Sequence, residues 1–507
     1  MKNNFVAEGY LMFKLDSIKV QKDTFYVYSD FGQKYESITL FYTQKDSLLK
    51  NSWKYVYKFN QNSFQKNAFK NLITDLLAYY ADNGFPFVNL SFTNINFDKN
   101  TIAAQINIQP NDRILFDTLV FDTPTRTNAR FLAQYLDITE GKEFSQKRFL
   151  EISEKITKSN MYTLVQTPYV VFKYNKAYVH LSIKEKKSGE LNAMLGLSQE
   201  VKLPNKNILI GEFSYKNRNF LGKGWYCNLG WKRYQTLSQN MFITGELPYV
   251  FNSKIGVGAS FKLLKQDTTF ININRGIQVS ILNIQNTKYG FTFEQLNSNV
   301  NKSSSILNYN TTSSSLYGLY AEFNNLSKIP FTVQKGFKIY INAKYGNKKI
   351  NNSDTLPKTS DQIMWSAYLE KRTHVTNKIE FRTSTSFNGL KNAKNIILNN
   401  EMYRIGGGET VRGFAENQFF TSMYFLHKIE SVFVLNSESA VSIFSDISNM
   451  NTSQKSNSYN TVYGFGLGIS VKTALGILQV NYALGKSKEI SPSLSNSKIH
   501  IMLQSDW

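Results

Sequence analysis

From Leu191 to the end of the chain, apolar side chains recur at every second position, yet no stretch approaches 18 consecutive apolar residues. Tyr463, Phe465, Leu467, Ile469 and Val471 alternate with Gly464, Gly466, Gly468 and Ser470. Phe337, Ile339, Ile341, Ala343 and Tyr345 alternate with Lys338, Tyr340, Asn342 and Lys344. Trp225, Cys227, Leu229 and Trp231 do the same with Tyr226, Asn228, Gly230 and Lys232. A period of two belongs to the β-strand, whose successive side chains point to opposite faces. Soluble sandwiches alternate as well, so strand length carries the distinction. Several of these runs reach ~9–11 residues, the length a tilted strand needs to cross a bilayer. Polar stretches such as 297–315 and 451–460 read as long external loops. At roughly 20 residues per strand with its connection, 189–507 suits ~16 strands, an even number as bacterial barrels require. Closure also removes the unpaired edge that an open sheet would expose to lipid.

Composition agrees. Of 507 residues, 19% are charged and 14% aromatic, low and high respectively for a soluble chain of this size. A transmembrane helix is excluded by the missing apolar run. The net charge of +22 raises the question of nucleic acid. The lysines, however, are spread along the chain and many fall opposite the apolar side of a strand, so a basic wet lumen and surface loops account for them. Nucleic acid is not expected as a partner. One cysteine, Cys227, permits no intrachain disulfide, and four scattered histidines argue against a multi-histidine metal site. No metal, cofactor or catalytic residue is expected. The first residues, Asn3-Asn4-Phe5-Val6-Ala7-Glu8, carry no secretory signal, although an outer-membrane chain needs one.

Residues 1–188 read differently. Phe64, Ala68, Phe69, Leu72, Ile73, Leu76, Leu77 and Tyr80 recur at helical spacing, and Gly84 supplies a C-terminal stop. Strands follow near 87–97 and 101–108. A second copy has a strand near 114–121, a helix near 128–136, and a stripe of Phe149, Ile152 and Ile156 ending near Asn160. Its last strands lie near 169–174 and 177–183. Glu8-Gly9-Tyr10 matches Asn83-Gly84-Phe85, and strands near 13–20 and 24–29 follow. Spacings of 75 and 76 residues between Gly9, Gly84 and Asn160 point to tandem modules. We therefore expect α+β repeats of outline β-α-α-β-β: an incomplete one over 1–43, then 44–110 and 111–188, followed by a barrel over 189–507. The chain is expected to begin inside a repeat. These stripes are core packing; any function of the modules would lie in sheet edges that accept a partner strand, or they are spacers.

A more specific signal is Gly406-Gly407-Gly408-Glu409-Thr410-Val411-Arg412-Gly413-Phe414. It resembles the loop signature, Val/Ile-Arg-Gly-Phe/Tyr preceded by glycines, of the BamA/TamA superfamily of outer-membrane assembly barrels. That superfamily joins POTRA repeats (β-α-α-β-β) to a 16-stranded barrel. Asn219-Phe220-Leu221-Gly222-Lys223-Gly224 resembles its early-barrel turn and 473–485 its penultimate strand, and the terminal Trp507 is similar to the aromatic end of assembled barrels. The resemblance implies that Gly407, Gly408, Val411, Arg412, Gly413 and Phe414 form a loop folded back into the lumen. Arg412 would there contact Glu430, Phe444 and Asp446. Phe444 and Asp446, two apart, share one strand face, with Val441 and Ile443 on the other. A carboxylate facing lipid would be costly, which favours the lumen. An ordinary flexible loop is the bland alternative. A phosphate-cradling loop lacks the strand–loop–helix context it requires.

The resemblance implies a non-enzymatic protein that inserts barrel proteins into the outer membrane or moves polypeptides across it. The repeats would be in the periplasm. The first strand, near 191–199, would meet the last, near 498–507, at a seam that opens. Partners implied are the outer-membrane bilayer, unfolded β-barrel clients, and periplasmic or lipoprotein partners at the repeats. Three repeats at most tilt the choice towards the TamA type. A passive pore or receptor, with the repeats as spacers, is the alternative; an outer-membrane hydrolase finds no nucleophile motif near any of the four histidines.

Overall fold

A computed structural model describes residues 8–21, 24–43, 48–49, 53–58, 68–159, 161–187, 189–200, 203–235, 237–283, 287–301, 308–326, 331–351, 356–451, 459–474 and 476–506. Two compact units are present, one drawn mainly from residues up to 184 and one from 185–507 with short stretches at 125–134 and 159–163.

In the N-terminal region, β1 (Lys14–Gln21) and β2 (Thr24–Asp30) form an antiparallel hairpin. Next come β3 (Ser37–Tyr42), β4 (Trp53–Lys58), helix α1 (Ala68–Asp82), β5 (Asn89–Asp98) and β6 (Thr101–Gln109). Their sheet order is β4-β3-β6-β5, with β3 parallel to β6. The stripe read from sequence closes this core: Leu40, Tyr42, Tyr80, Phe85, Ile106 and Ile108 are buried, with Leu72, Ile73 and Leu76 packed against them. β3 pairs inside this sheet, parallel to β6 and antiparallel to β4, whereas the expected bounds group its residues with 1–43. Tyr55 points its ring onto the same core, and a short alternating Trp-Lys-Tyr-Val-Tyr-Lys run suits a strand.

The following module comprises β7 (Leu115–Phe121), α2 (Ala129–Leu136), α3 (Gln146–Leu150), α4 (Ile152–Ser159), β8 (Tyr162–Leu164), β9 (Tyr169–Lys173), β10 (Lys176–Leu181) and β11 (Ile183–Glu185). Its main sheet runs β7-β10-β9, with β7 parallel to β10. Leu136, Phe144, Ile152, Ile156, Ala177 and Leu181 are fully buried. The Phe149–Ile156 stripe is broken at Glu151, the C-cap of α3. Asn160 lies outside the described residues. Both modules follow the POTRA-like α+β plan.

The rest is a closed antiparallel barrel of 16 strands. In chain order these are β12 (Gly189–Glu200), β13 (Leu203–Phe220), β14 (Trp225–Gln235), β15 (Ser238–Val250), β16 (Ile255–Gln266), β17 (Phe270–Asn283), β18 (Thr287–Val300), β19 (Thr312–Asn324), β20 (Gly336–Ile350), β21 (Thr359–Thr376) and β22 (Ile379–Asn392). A long insertion carrying β23 (Tyr403–Ile405) and β24 (Phe419–Thr421) precedes β25 (Met423–Asn436), β26 (Ser439–Asn451), β27 (Tyr459–Thr473), β28 (Gly476–Lys486) and β29 (Lys498–Asp506). Of the polar stretch 297–315, the ends are strand, since β18 runs to Val300 and β19 resumes at Thr312, and residues 302–307 lie outside the described residues. Residues 452–458, the centre of the second proposed loop, lie outside the described residues.

Sidedness of the barrel identifies its solvent. Leu319 is 69% exposed on the outer face, and Ile277, Ile341, Ile443 and Leu467 are exposed with it. Lys348, Glu380 and Asp446 on the inner face are fully buried. Apolar outside and charged inside is stable only where the exterior is hydrocarbon. The inward charges pair across strands: Lys344 Nζ lies 2.7 Å from Glu294, Lys338 3.0 Å from Glu322, and Lys232 2.9 Å from Glu212.

Candidate functional site

The insertion between β22 and β25 turns back into the lumen rather than away from it. Its β23–β24 hairpin pairs Tyr403 to Ile405 with Phe419 to Thr421. Between these strands the chain forms a tight knot. The Gly406 N–H donates to Thr410 Oγ1 (2.8 Å), the Gly407 N–H to the Val411 carbonyl (3.1 Å), and the Gly408 N–H to Glu416 Oε1 (3.0 Å). Gly407 has φ +102° and a Cβ there would run into the Glu416 carboxylate, so only glycine fits. Val411 and Phe414 are buried with Ile405, Leu426, Met450 and Val462, and the Phe414 ring meets Phe419 edge-on at 5.0 Å. This apolar plug holds the loop against β25, β26 and β27.

Arg412 sits at the centre. Its Nε donates to Asp446 Oδ2 (2.8 Å), its Nη2 to Asp446 Oδ1 (2.7 Å), and its own backbone N–H to Asp446 Oδ2 (3.0 Å). The guanidinium carbon lies 3.4 Å from the centre of the Phe444 ring, and Nη1 lies 3.6 Å from Glu430 Oε2. Glu430 and Phe444 are register partners on β25 and β26, and Asp446 is two residues further along the same face. A fork-on-carboxylate pair stacked on an aromatic is the geometry arginine provides and lysine does not. With Asp446 fully buried and Arg412 nearly so, the pair lacks competing water, and its three hydrogen bonds compensate the desolvation of both charges.

All the residues expected in the lock from Gly407 to Phe414, together with Glu430, Phe444 and Asp446, are therefore placed in one cluster. Trp507 lies outside the described residues. Three further groups were not singled out from sequence. The first makes room: a Cβ at Gly464 would strike the Arg412 carbonyl, one at Gly466 would strike the Tyr482 carbonyl and approach Phe444 Cζ at 2.8 Å, and one at Gly485 would stand 2.5 Å from the Gly413 carbonyl. Gly413 itself (φ +92°) passes so close to the Leu484–Gly485 peptide that any side chain is barred. The glycines alternating along β27 were the available signal. The second group anchors the loop's first limb on the opposite wall. Fully buried Lys348 on β20 is ion-paired to Glu401 and donates to the Ile396 carbonyl at 3.0 Å. Beside it, Asn400 donates to Ser298 Oγ (2.7 Å), and Asn272 donates to the Asn400 carbonyl (2.6 Å). The third is Lys232 on β14, 3.3 Å from Glu416. No local pattern marks these last two groups.

The class of protein is thus a 16-stranded outer-membrane barrel whose inserted loop is locked in the lumen through an arginine–aspartate pair, with POTRA-like modules in the same chain. The Omp85 superfamily domain matches residues 219–496, more than half of the chain, and the chain belongs to that superfamily. Among solved structures it is similar to CdiB from Escherichia coli (TM-score 0.56, 14% identity, 99% of this chain and 96% of that one). It is also similar to CdiB from Acinetobacter baumannii (TM-score 0.53, 12% identity, 88% and 82%). BamA from Haemophilus ducreyi lacking POTRA domains 1–3 matches with TM-score 0.50 at 13% identity, over 88% and 94%. No curated protein matches the chain. At these identities the likeness concerns the fold.

Proposed function

We propose that the protein inserts β-barrel clients into the outer membrane or passes polypeptides across it, without enzymatic chemistry, in the manner of the TamA type. The observation that carries this reading is the seam. Among the described residues β12 meets β29 from Glu190↔Asp506 to Ala193↔Leu503, whereas β12 and β13 pair almost throughout, from Gly189↔Asn217 to Gln199↔Asn207. Beyond Ala193, no ladder pairing of β12 with β29 is present among the described residues. Such a half-zipped edge is a template for an added strand. The energy for insertion then comes from the client's own folding. The POTRA-like modules, in the periplasm, would deliver clients or dock accessory lipoproteins through edge strands such as β5 and β9.

The test is the folding of unfolded barrel clients into liposomes containing the purified protein, compared with empty liposomes and with the Arg412→Ala variant. We expect faster insertion with the wild type, lost in the variant although its barrel remains folded. No acceleration for any of several clients by a folded wild-type barrel would overturn the reading in favour of a passive pore.

A further inference from the structure

The loop does more than hold the wall on which its arginine sits. On one side of the seam, Arg412 grips β26 and the Gly413 carbonyl lies against Gly485 of β28, the neighbour of the last strand. On the other side, Glu416 of the same loop reaches Lys232 of β14 at 3.3 Å, and Lys232 also binds Glu212, its direct register partner on β13, at 2.9 Å. β13 is in turn zipped along β12, the first strand. Between these two grips the loop crosses the inner face of the last strand: a Cβ at Gly408 would stand 3.4 Å from the ring of His500 on β29. Lys232 and Glu416 are only 15% and 14% exposed, so their attraction is little weakened by water. The Glu416 carboxylate is also fixed from behind, by the Gly408 N–H.

We infer that Glu416 and Lys232 are positioning residues that staple the seam from inside. The loop is a bridge with Arg412–Asp446 at one abutment and Glu416–Lys232–Glu212 at the other, and it holds together strands whose own ladder is four pairs long among the described residues. This rests on the reading of β12 and β29 as the working seam. The strands can part only when one abutment releases, and the lone ion pair to Lys232, made by one carboxylate oxygen, is weaker than the forked pair to Asp446. The first strands therefore let go of the loop while the last strands keep it.

The test measures seam closure directly. Register partners Ala193 and Leu503 are replaced by cysteine in a Cys227→Ser background, and disulfide formation under mild oxidation is followed in vesicles containing the full chain. Glu416→Gln keeps the Gly408 hydrogen bond and removes the charge; Lys232→Met removes the other partner. Each is expected to slow cross-linking about threefold to tenfold, as the coupling between neighbouring members of one ion-pair network predicts. Unchanged cross-linking in Glu416→Gln, whose barrel migrates as folded, overturns the staple. Should Lys232→Met not fold, Glu416→Gln decides alone. Client insertion is recorded separately. A seam that loosens as expected in a protein that accelerates no client would overturn the assembly reading and leave the staple standing.

Discussion

Ile156 of α4 and Ile341 of β20 are the same residue serving opposite solvents. Ile156 is fully buried in a module, as are Leu136, Phe144 and Ile152, the usual place for hydrophobic residues in water. Ile341 is exposed on the outer face of the barrel, while its strand mate Lys348 is the fully buried one. Both regions obey periodicity, and both bury whatever their surroundings reject. In the modules water rejects hydrocarbon. In the barrel hydrocarbon rejects charge, so the lumen collects ion pairs and becomes a polar core in which a loop can be locked by electrostatics.

The largest effect is expected where that polar core is broken. Asp446→Ala strands the Arg412 guanidinium in the lumen, and removing one partner of a buried pair typically costs about 3–5 kcal/mol. Urea unfolding of the barrel in vesicles would record it. The double variant with Arg412→Ala should lose less than the sum of the two single changes, since the pair acts as a unit. Additive losses would remove the pairing from the account. A smaller effect is expected on the outer face. Leu319→Lys places a charge in lipid and should cost about 2–4 kcal/mol near the bilayer midplane, in the same unfolding measurement. Tyr174→Lys, at an exposed position of the module region, should lie within about 0.5 kcal/mol of wild type. Equal costs at the two positions would erase the distinction between the solvents. The smallest effect concerns packing alone. Ile156→Val should destabilise its module by about 0.5–1.5 kcal/mol, followed by denaturant-dependent circular dichroism of the full chain, and Ile341→Val should leave the barrel's stability almost unchanged because lipid refills the lost volume.

Much of this was legible in the residues. The alternation around Phe337–Tyr345 and Tyr463–Val471 marks strands with one apolar face, and their number and length point to a closed barrel. The motif Gly406–Phe414 marks the loop, and the two-residue spacing of Phe444 and Asp446 marks one face of one strand. The partner of residues 37–42 was less legible: they lie parallel to β6, some sixty residues later, a pairing no local run announces.

What the sequence by itself determined is sidedness and class: period two, strand length, the absence of any long apolar run and one glycine-rich signature define an outer-membrane barrel with a lumen loop. Only the tertiary structure decided what the loop holds. Lys232, Lys348, Glu401 and Glu416 resemble the chain's many other charged residues until closure of the sheet sets β14, β20 and the loop against one another across the lumen. The reason is geometric. Periodicity assigns each side chain to a face, but which charge meets which depends on the register of all 16 strands and on where an inserted loop comes to rest, and neither is written into any local run of residues.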